Sequence, residues 1–210
     1  MKPSNLLVVL IVLCSMTLGV MLSTLFAPQQ ILIHVTVPQP TVEDKDLKEI
    51  ESLFTERVQA QERKIRRAWK PQSINKASKM IQEISYTHGI HYTKLIAMLE
   101  HESSLYPYAI SPVNTDGTRD YGLSQQNSKY SKQRFLRIFK EKFNMKKLHD
   151  YEVSLRMMGE RLRECSKYMR ENQKILCYNA DANVKYNRKK YLNKVNDVLK
   201  KFKRQAEFSI

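Results

Sequence analysis

Apolar residues form one uninterrupted run near the N-terminus and then recur at helical spacing. Residues 6–26 carry no charge, and a stretch of about 20 apolar residues is the length at which an α-helix crosses a bilayer. Residues 27–42 contain three prolines and no helical period, which predicts an extended spacer. Over residues 44–69 apolar side chains return at steps of three and four, so we expect an amphipathic helix that serves as a stalk or a docking helix.

The N-terminal apolar run has three interpretations. A cleaved signal peptide would end at Ala27, but Pro28 follows it. A lipoprotein signal would use Cys14, but no small residue directly precedes it. We therefore favour a single transmembrane helix that is retained. Because Lys2 is the basic residue nearest the run, residues 1–5 are expected in the cytoplasm and the rest of the chain outside the cytoplasmic membrane.

Pro71 interrupts the helical pattern, and we place the start of the main domain, residues 71–210, at this proline. The segment 111–121 is rich in Ser, Pro, Asn, Asp, Gly and Thr, which predicts a loop or a small hairpin. With only 5 Gly and 7 Pro in the chain, a β-sandwich is disfavoured and a mainly α fold is expected. Apolar spacing predicts helices over residues 74–88, 93–102, 134–143, 151–169 and 186–202.

The formal net charge of +15 indicates an anionic partner or surroundings. Nucleic acid, anionic lipid and cell-wall polymers all fit this charge, but no nucleic-acid-binding motif accompanies it, so we expect no nucleic acid partner. Nine Lys and Arg residues lie within residues 185–204, against the single acid Asp197. Two interpretations of this basic stretch stay open, a solvated helix face and a surface that attracts anions.

The three cysteines leave two possibilities open. Cys14 lies in the apolar run, whereas Cys165 and Cys177 either form one disulfide in an extracytoplasmic domain or remain buried thiols. Neither Cys nor His residues show metal-ligand spacing, so we predict no metal site and no cofactor.

Residues 102–128, ESSLYPYAISPVNTDGTRDYGLSQQNS, concentrate groups suited to glycoside cleavage. Cleavage needs a proton donor at the leaving oxygen, and Glu102 ends an apolar helix where desolvation favours a protonated carboxyl. The amides of Gln125 and Asn127 can bind sugar hydroxyls and acetamido groups without adding charge. Glu100 lies on a different helix face, so we expect no catalytic role for it.

These motifs resemble a known enzyme family. Glu102-Ser103, followed by YPYAIS at 106–111, is similar to the E-S-x-x-x-P-x-A-x-S motif of soluble lytic transglycosylases. The run NTDGTRDYGLSQQNS at 114–128 resembles animal C-type lysozymes and the transglycosylases of secretion and conjugation machinery. Tyr178-Asn179-Ala180 resembles the A-Y-N motif, and 191–195 resembles the Y-x-x-x-V helix that follows it. Gln126 departs from the family, in which this position is usually apolar.

The resemblance implies a lysozyme-like helical catalytic domain that cleaves peptidoglycan. It makes Glu102 the general acid and then the base. It places Ser103, Tyr121 and Gln125 at the substrate groove, and Tyr178 there with its hydroxyl near the catalytic carboxyl. Asn127 and Asn179 are expected to organise the loop and the sugar contacts. The implied partners are peptidoglycan, the membrane through the N-terminal helix, and a secretion, conjugation or bacteriophage apparatus.

The role of Asp120 separates two reactions. A lysozyme-type muramidase would use Asp120 as a second carboxylate and complete the cleavage with water. A lytic transglycosylase uses the acetamido group and the C6 hydroxyl of the substrate itself, and it leaves a 1,6-anhydro sugar. The Glu102 and Tyr178-Asn179 motifs favour the transglycosylase, with the muramidase as the alternative. A non-catalytic wall-binding assembly protein is the remaining class, although it would not need Glu102.

Overall fold

The structure, a computed structural model, describes residues 44–168, 170–179 and 185–207. All of them belong to one unit of the chain that spans residues 40–210. The apolar run at 6–26 and the spacer at 27–42 lie outside the described residues. Within the described ranges, no helix is both long enough and apolar enough to span a membrane.

The expected mainly α fold is confirmed. The segment at 111–121, expected to be a loop or a small hairpin, is a loop that leads into two short antiparallel strands, with Asp120 opposite Asn127. The elements, in chain order, are α1 (Asp44–Gln59), α2 (Arg63–Ala68), α3 (Pro71–His88), α4 (Tyr92–Ser103), β1 (Asp120–Tyr121), β2 (Gln126–Asn127), α5 (Ser131–Phe139), a 3₁₀ helix (Met145–His149), α6 (Tyr151–Glu164), α7 (Glu171–Asn179) and α8 (Lys185–Glu207).

Helix boundaries differ from the sequence prediction where local caps intervene. The helix expected over 44–69 divides into α1 and α2, since the guanidinium of Arg66 binds the carbonyl of Gln61 at 2.8 Å in the connecting turn. The helix expected over 134–143 begins at residue 131 and ends where Lys140 adopts a left-handed conformation, φ 55°. The helix expected over 151–169 ends at Glu164, before a disulfide-bonded cysteine. Neither α7 nor the 3₁₀ helix was expected.

Helix α4 forms the centre of the core. Its residues 95–99 are fully buried, and it packs against α3 and α8, while α1 and α6 pack against α3. Phe54 and Trp69, both before Pro71, belong to the same hydrophobic core and meet edge to face with ring centroids 5.0 Å apart. The residues on both sides of Pro71 therefore share one core, in which α1 is a packed element.

The chain reverses sharply at the end of α4. Ser104 and Leu105 both have positive φ, 54° and 62°, a conformation that costs non-glycine residues free energy. Burial of the Leu105 side chain and a 2.8 Å hydrogen bond from the indole Nε1 of Trp69 to its carbonyl oxygen hold this turn. The last turn of α4, which carries Glu102, is thus fixed by the segment before Pro71.

Candidate active site

Glu102 lies on the last turn of α4, with its carboxyl at the edge of a cavity of about 1000 Å³. Its Oε1 accepts a 2.7 Å hydrogen bond from the hydroxyl of Tyr191 on α8. Glu100, two residues earlier, forms a two-point ion pair with Arg57, at 2.9 Å and 2.8 Å. The two glutamates therefore point to different faces, as the helical spacing predicts.

The surroundings of Glu102 favour its protonated form near neutral pH. Burial is the largest influence and, together with the negative charge of Asp120, it raises the pKa of Glu102 from its usual 4.5 to about 7. The Tyr191 hydrogen bond and the positive charge of Lys194 act in the opposite direction. A carboxyl with a pKa near the working pH can both give and take a proton.

Asp120 is held by two amide side chains on the other side of the cavity. The Nδ2 of Asn127 donates to its Oδ1 at 2.8 Å, and the Nδ2 of Asn114 donates to its Oδ2 at 3.2 Å. Asn127 also binds Thr118 at 2.8 Å and accepts the backbone N–H of Lys129 at 2.9 Å. Asn127 thus organises the loop and lines the cavity at the same time.

Ser103 connects α4 to the hairpin, and Gly122 lets the hairpin approach the 3₁₀ helix closely. The hydroxyl of Ser103 donates to the carbonyl of Leu123 at 2.7 Å, so it ties the end of α4 to the loop. Gly122 has φ +78°, and a Cβ atom there would lie 1.8 Å from the carbonyl oxygen of Leu148. Only glycine fits such a close approach. Ser103 therefore supports the site without lining the cavity.

Tyr178 lies in the cavity wall, but its hydroxyl does not contact the catalytic candidate in the way that the sequence led us to expect. It donates to the carbonyl of Ser124 at 2.8 Å and accepts from Nε2 of Gln126 at 3.3 Å. The bond to Glu102 comes from Tyr191 instead. Burial and the charge of Glu102 raise the pKa of both tyrosines well above the usual value, so both hydroxyls stay protonated and donate.

The structure brings most of the predicted site residues together. Of the candidates from the sequence, Ser103 and Tyr121 do not line the cavity; the ring of Tyr121 instead lies against His149, with centroids 5.8 Å apart. The candidates that do line it are Glu102, Asp120, Gln125, Asn127, Tyr178 and Asn179.

Sequence reasoning missed three groups of residues at this site. Tyr191 stood in a recognised motif but had no assigned role. Gln126 departs from the usual apolar residue of the family at this position, and in the structure its buried side chain binds the hydroxyl of Tyr178. The third group comprises arginines of α5 and α6 in the cavity wall, for which no sequence signal existed, namely Arg134, Arg137 and Arg161.

A comparison with protein-family models identifies the family of this chain. The family model described as Transglycosylase SLT domain matches residues 79–200, more than half of the chain. The chain belongs to the transglycosylase SLT domain family. No curated protein and no solved structure matches it. The SLT match contains Glu102, Asp120, Tyr178 and Tyr191, and the family indicates lytic transglycosylase activity on peptidoglycan.

Proposed function

We propose that this protein cleaves the β-1,4 bond between N-acetylmuramic acid and N-acetylglucosamine in peptidoglycan, leaving a 1,6-anhydro product. The observation that carries the proposal is the state of Glu102, whose pKa of about 7 and bond to Tyr191 suit a carboxyl that alternates between acid and base. The adjoining cavity of about 1000 Å³ is at the upper end of ligand pockets, as a saccharide chain requires.

In the first step, protonated Glu102 gives its proton to the glycosidic oxygen, and the bond from that oxygen to the anomeric carbon breaks. The acetamido oxygen of the muramic acid attacks the anomeric carbon and forms a cyclic oxazolinium ion. In the second step, ionised Glu102 takes the proton of the C6 hydroxyl. The C6 oxygen then closes on the anomeric carbon and the oxazoline opens, which restores protonated Glu102 without net consumption of water.

Asp120 supports a second candidate, a muramidase that hydrolyses the same bond. It lines the same cavity as Glu102, and its negative charge raises the pKa of that carboxyl. A carboxylate in this position can stabilise or attack the anomeric centre. The transglycosylase remains preferred because the family match indicates lytic transglycosylase activity; the hydrogen bonds from Asn127 and Asn114 to Asp120 fit either reaction.

Product analysis separates the two reactions. Purified peptidoglycan is digested with the full-length protein, and the released fragments are analysed by mass. Anhydro ends support the transglycosylase, whereas reducing ends that are one water heavier support the muramidase. Release of no fragments, with Glu102→Gln behaving like the wild type, would leave the non-catalytic wall-binding class.

The variant Asp120→Asn distinguishes a transglycosylase from a muramidase. As a transglycosylase the variant should keep activity within about tenfold of the wild type, while a muramidase should lose at least about a hundredfold, the usual range for a catalytic acid or base. Asp116→Asn is the matched control, since Asp116 lines the same cavity but binds Thr118 and Tyr130.

We also propose that the domain works outside the cytoplasmic membrane. Peptidoglycan lies there, and the disulfide between Cys165 and Cys177 suits an oxidising compartment. The apolar run at 6–26 would supply the anchor. Accessibility of an epitope tag placed after residue 207 to protease in intact spheroplasts tests this location, and protection of the tag would contradict it.

A further inference from the structure

Among the residues that the structure describes, one wall of the cavity carries an excess of positive charge that acid–base chemistry on a neutral glycan does not need. Four arginines share two glutamates here: Arg134, Arg137 and Arg161 contact Glu164, while Arg137 and Arg163 contact Glu160. Of these six, the residues that line the cavity are Arg134, Arg137, Arg161 and Glu164. We call these four residues the arginine cluster.

Glu164 stays ionised and holds the arginines of the cluster in place. Burial alone would raise its pKa, but the hydrogen bonds and charge of Arg134, with bonds from Arg161 and Arg137, outweigh burial and lower the pKa to about 2. The guanidinium of Arg134 binds it through two points, Nε at 3.2 Å and Nη2 at 2.8 Å. The arginines are therefore held in place, and among the described residues two carboxylates, Glu160 and Glu164, face four guanidinium groups.

Arg137 presents the most accessible donor of the cluster. Its Nε binds Glu160 and its Nη2 binds Glu164, each at 2.7 Å, while Nη1 makes no hydrogen bond to the part of the chain that the structure describes. Its side chain is 47% exposed. Arg134, by contrast, is only 11% exposed and also reaches Gln126 through Nη1 at 3.4 Å.

The arginine cluster is adjacent to the catalytic candidate. Glu102, Tyr178 and the arginine cluster line the same cavity, and the charges of Glu102, Arg134 and Arg161 all influence the pKa of the Tyr178 hydroxyl. Gln126 bridges the same gap, with Nε2 on the Tyr178 hydroxyl and Oε1 facing Arg134. A ligand whose glycosidic bond reaches Glu102 therefore places its neighbouring groups within reach of the arginines.

We propose that the arginine cluster binds a carboxylate of the stem peptide, so that the enzyme selects peptide-bearing glycan over bare glycan. This rests on the proposed cleavage of peptidoglycan. The sugar backbone of that polymer is uncharged, whereas the peptides attached to its lactyl groups carry free carboxylates. Guanidinium groups bind carboxylates in a planar, two-point arrangement, and fixed positive charge also attracts them from a distance.

The test compares three soluble substrates with the full-length protein: glycan strands with intact stem peptides, strands whose peptide carboxylates have been converted to amides, and bare strands. The bare strands are stripped of peptides by an amidase, and the lactyl carboxylates that this exposes are then converted to amides. The measured quantity is the ratio of kcat/KM on each peptide-bearing substrate to that on bare glycan. We expect a ratio of about two to five with free carboxylates, the gain of a partly exposed ion pair, and a ratio near one after amidation.

Two variants assign the effect to the cluster. Arg137→Gln should lower the ratio toward one, mainly through KM. Arg163→Gln is the matched control, because Arg163 also binds Glu160, at 2.6 Å, and is 60% exposed but does not line the cavity. It should keep the wild-type ratio.

Each outcome separates this inference from the function on which it rests. Equal wild-type kcat/KM on all three substrates would overturn the carboxylate site while leaving glycan cleavage intact. The carboxylate site would also be overturned if Arg163→Gln lowered the kcat/KM ratio as much as Arg137→Gln does. A preference that survives amidation would show that peptide shape, and not charge, is recognised. Absence of cleavage on every substrate would instead contradict the proposed function.

Discussion

The hydroxyl of Tyr191 donates a 2.7 Å hydrogen bond to Oε1 of Glu102, although 89 positions separate the two residues. The contact exists because α8 packs against α4 along their buried faces, which places Tyr191 over the last turn of α4. The bond favours the ionised carboxyl and so opposes burial, which favours the protonated one. Tyr191 thus restrains the pKa of Glu102 and fixes the direction of its carboxyl.

Tyr191→Phe should move the activity profile toward higher pH. Loss of the donor removes an influence that lowers the pKa of Glu102, so the acid form persists to higher pH and the alkaline limb of kcat/KM shifts upward. Activity at neutral pH should fall at least several-fold, because the ionised form needed in the second step is less favoured and less well oriented. An unchanged pH profile would exclude this role, even if total activity fell.

Glu102→Gln should abolish activity while stabilising the fold above neutral pH. The folded-state pKa of about 7 exceeds the usual 4.5, so ionisation costs folding free energy. This cost is absent below pH 4.5, grows as pH rises, and is complete above pH 7. The variant should therefore match the wild type in acid and exceed it by about 1–3 kcal/mol in alkali, measured by denaturant unfolding across pH.

Glu100→Gln is the matched counterpart, with the opposite result. It removes the carboxylate charge that Arg57 binds at two points, and the Arg57 side chain is only 4% exposed. Loss of a partner in a buried pair costs about 3–5 kcal/mol, so this variant should be less stable yet active below its melting temperature. Activity loss in both variants, or in neither, would contradict the assignment of Glu102.

Much of the fold follows from local patterns. The helix predicted at 93–102 is present in the structure. Its apolar run at 95–99 is fully buried, because a helix that is apolar on all sides lies in the core. Helix α7 was missed because its sequence, ENQKILCYN, carries only a weak apolar face. Its position instead depends on distant partners, namely the disulfide to Cys165 and the bonds from Arg161 to the carbonyls of Cys177 and Tyr178.

The residues of the candidate site were likewise predicted only in part. Glu102, Asp120, Gln125 and Tyr178 were expected from motifs, and the cavity contains all four. The arginine cluster was not expected, since arginines on amphipathic helices resemble a solvated face until packing shows which of them a cavity shares. Tyr178 was expected near the carboxyl of Glu102, and its hydroxyl is influenced by that charge, but the hydrogen bond to Glu102 comes from Tyr191. A motif shows that residues are near one another and not which hydroxyl reaches which oxygen.

Gly122→Ala should destabilise the protein far more than Gly117→Ala. Both glycines have positive φ, +78° and +79°, which costs a substituted residue roughly 1 kcal/mol. At Gly122 the new Cβ would also meet the carbonyl oxygen of Leu148 at 1.8 Å, whereas at Gly117 it would meet open space. Thermal unfolding should show a loss of at least about 3 kcal/mol at Gly122. Equal losses at both positions would refute the close-approach explanation.

Removal of the disulfide should reduce both stability and activity. Cys165 and Cys177 are 12 residues apart, and closing a loop of this size contributes about 3 kcal/mol by limiting the unfolded chain. Because Tyr178 directly follows Cys177, loosening α7 also loosens the cavity wall. The double variant Cys165→Ser/Cys177→Ser should melt lower and turn over more slowly, and a reducing agent should impose the same losses on the wild type but no further loss on the double variant. Cys14→Ser is the control and should remain sensitive to reductant; a wild type that keeps its melting temperature and turnover after confirmed reduction would rule out this role for the bridge.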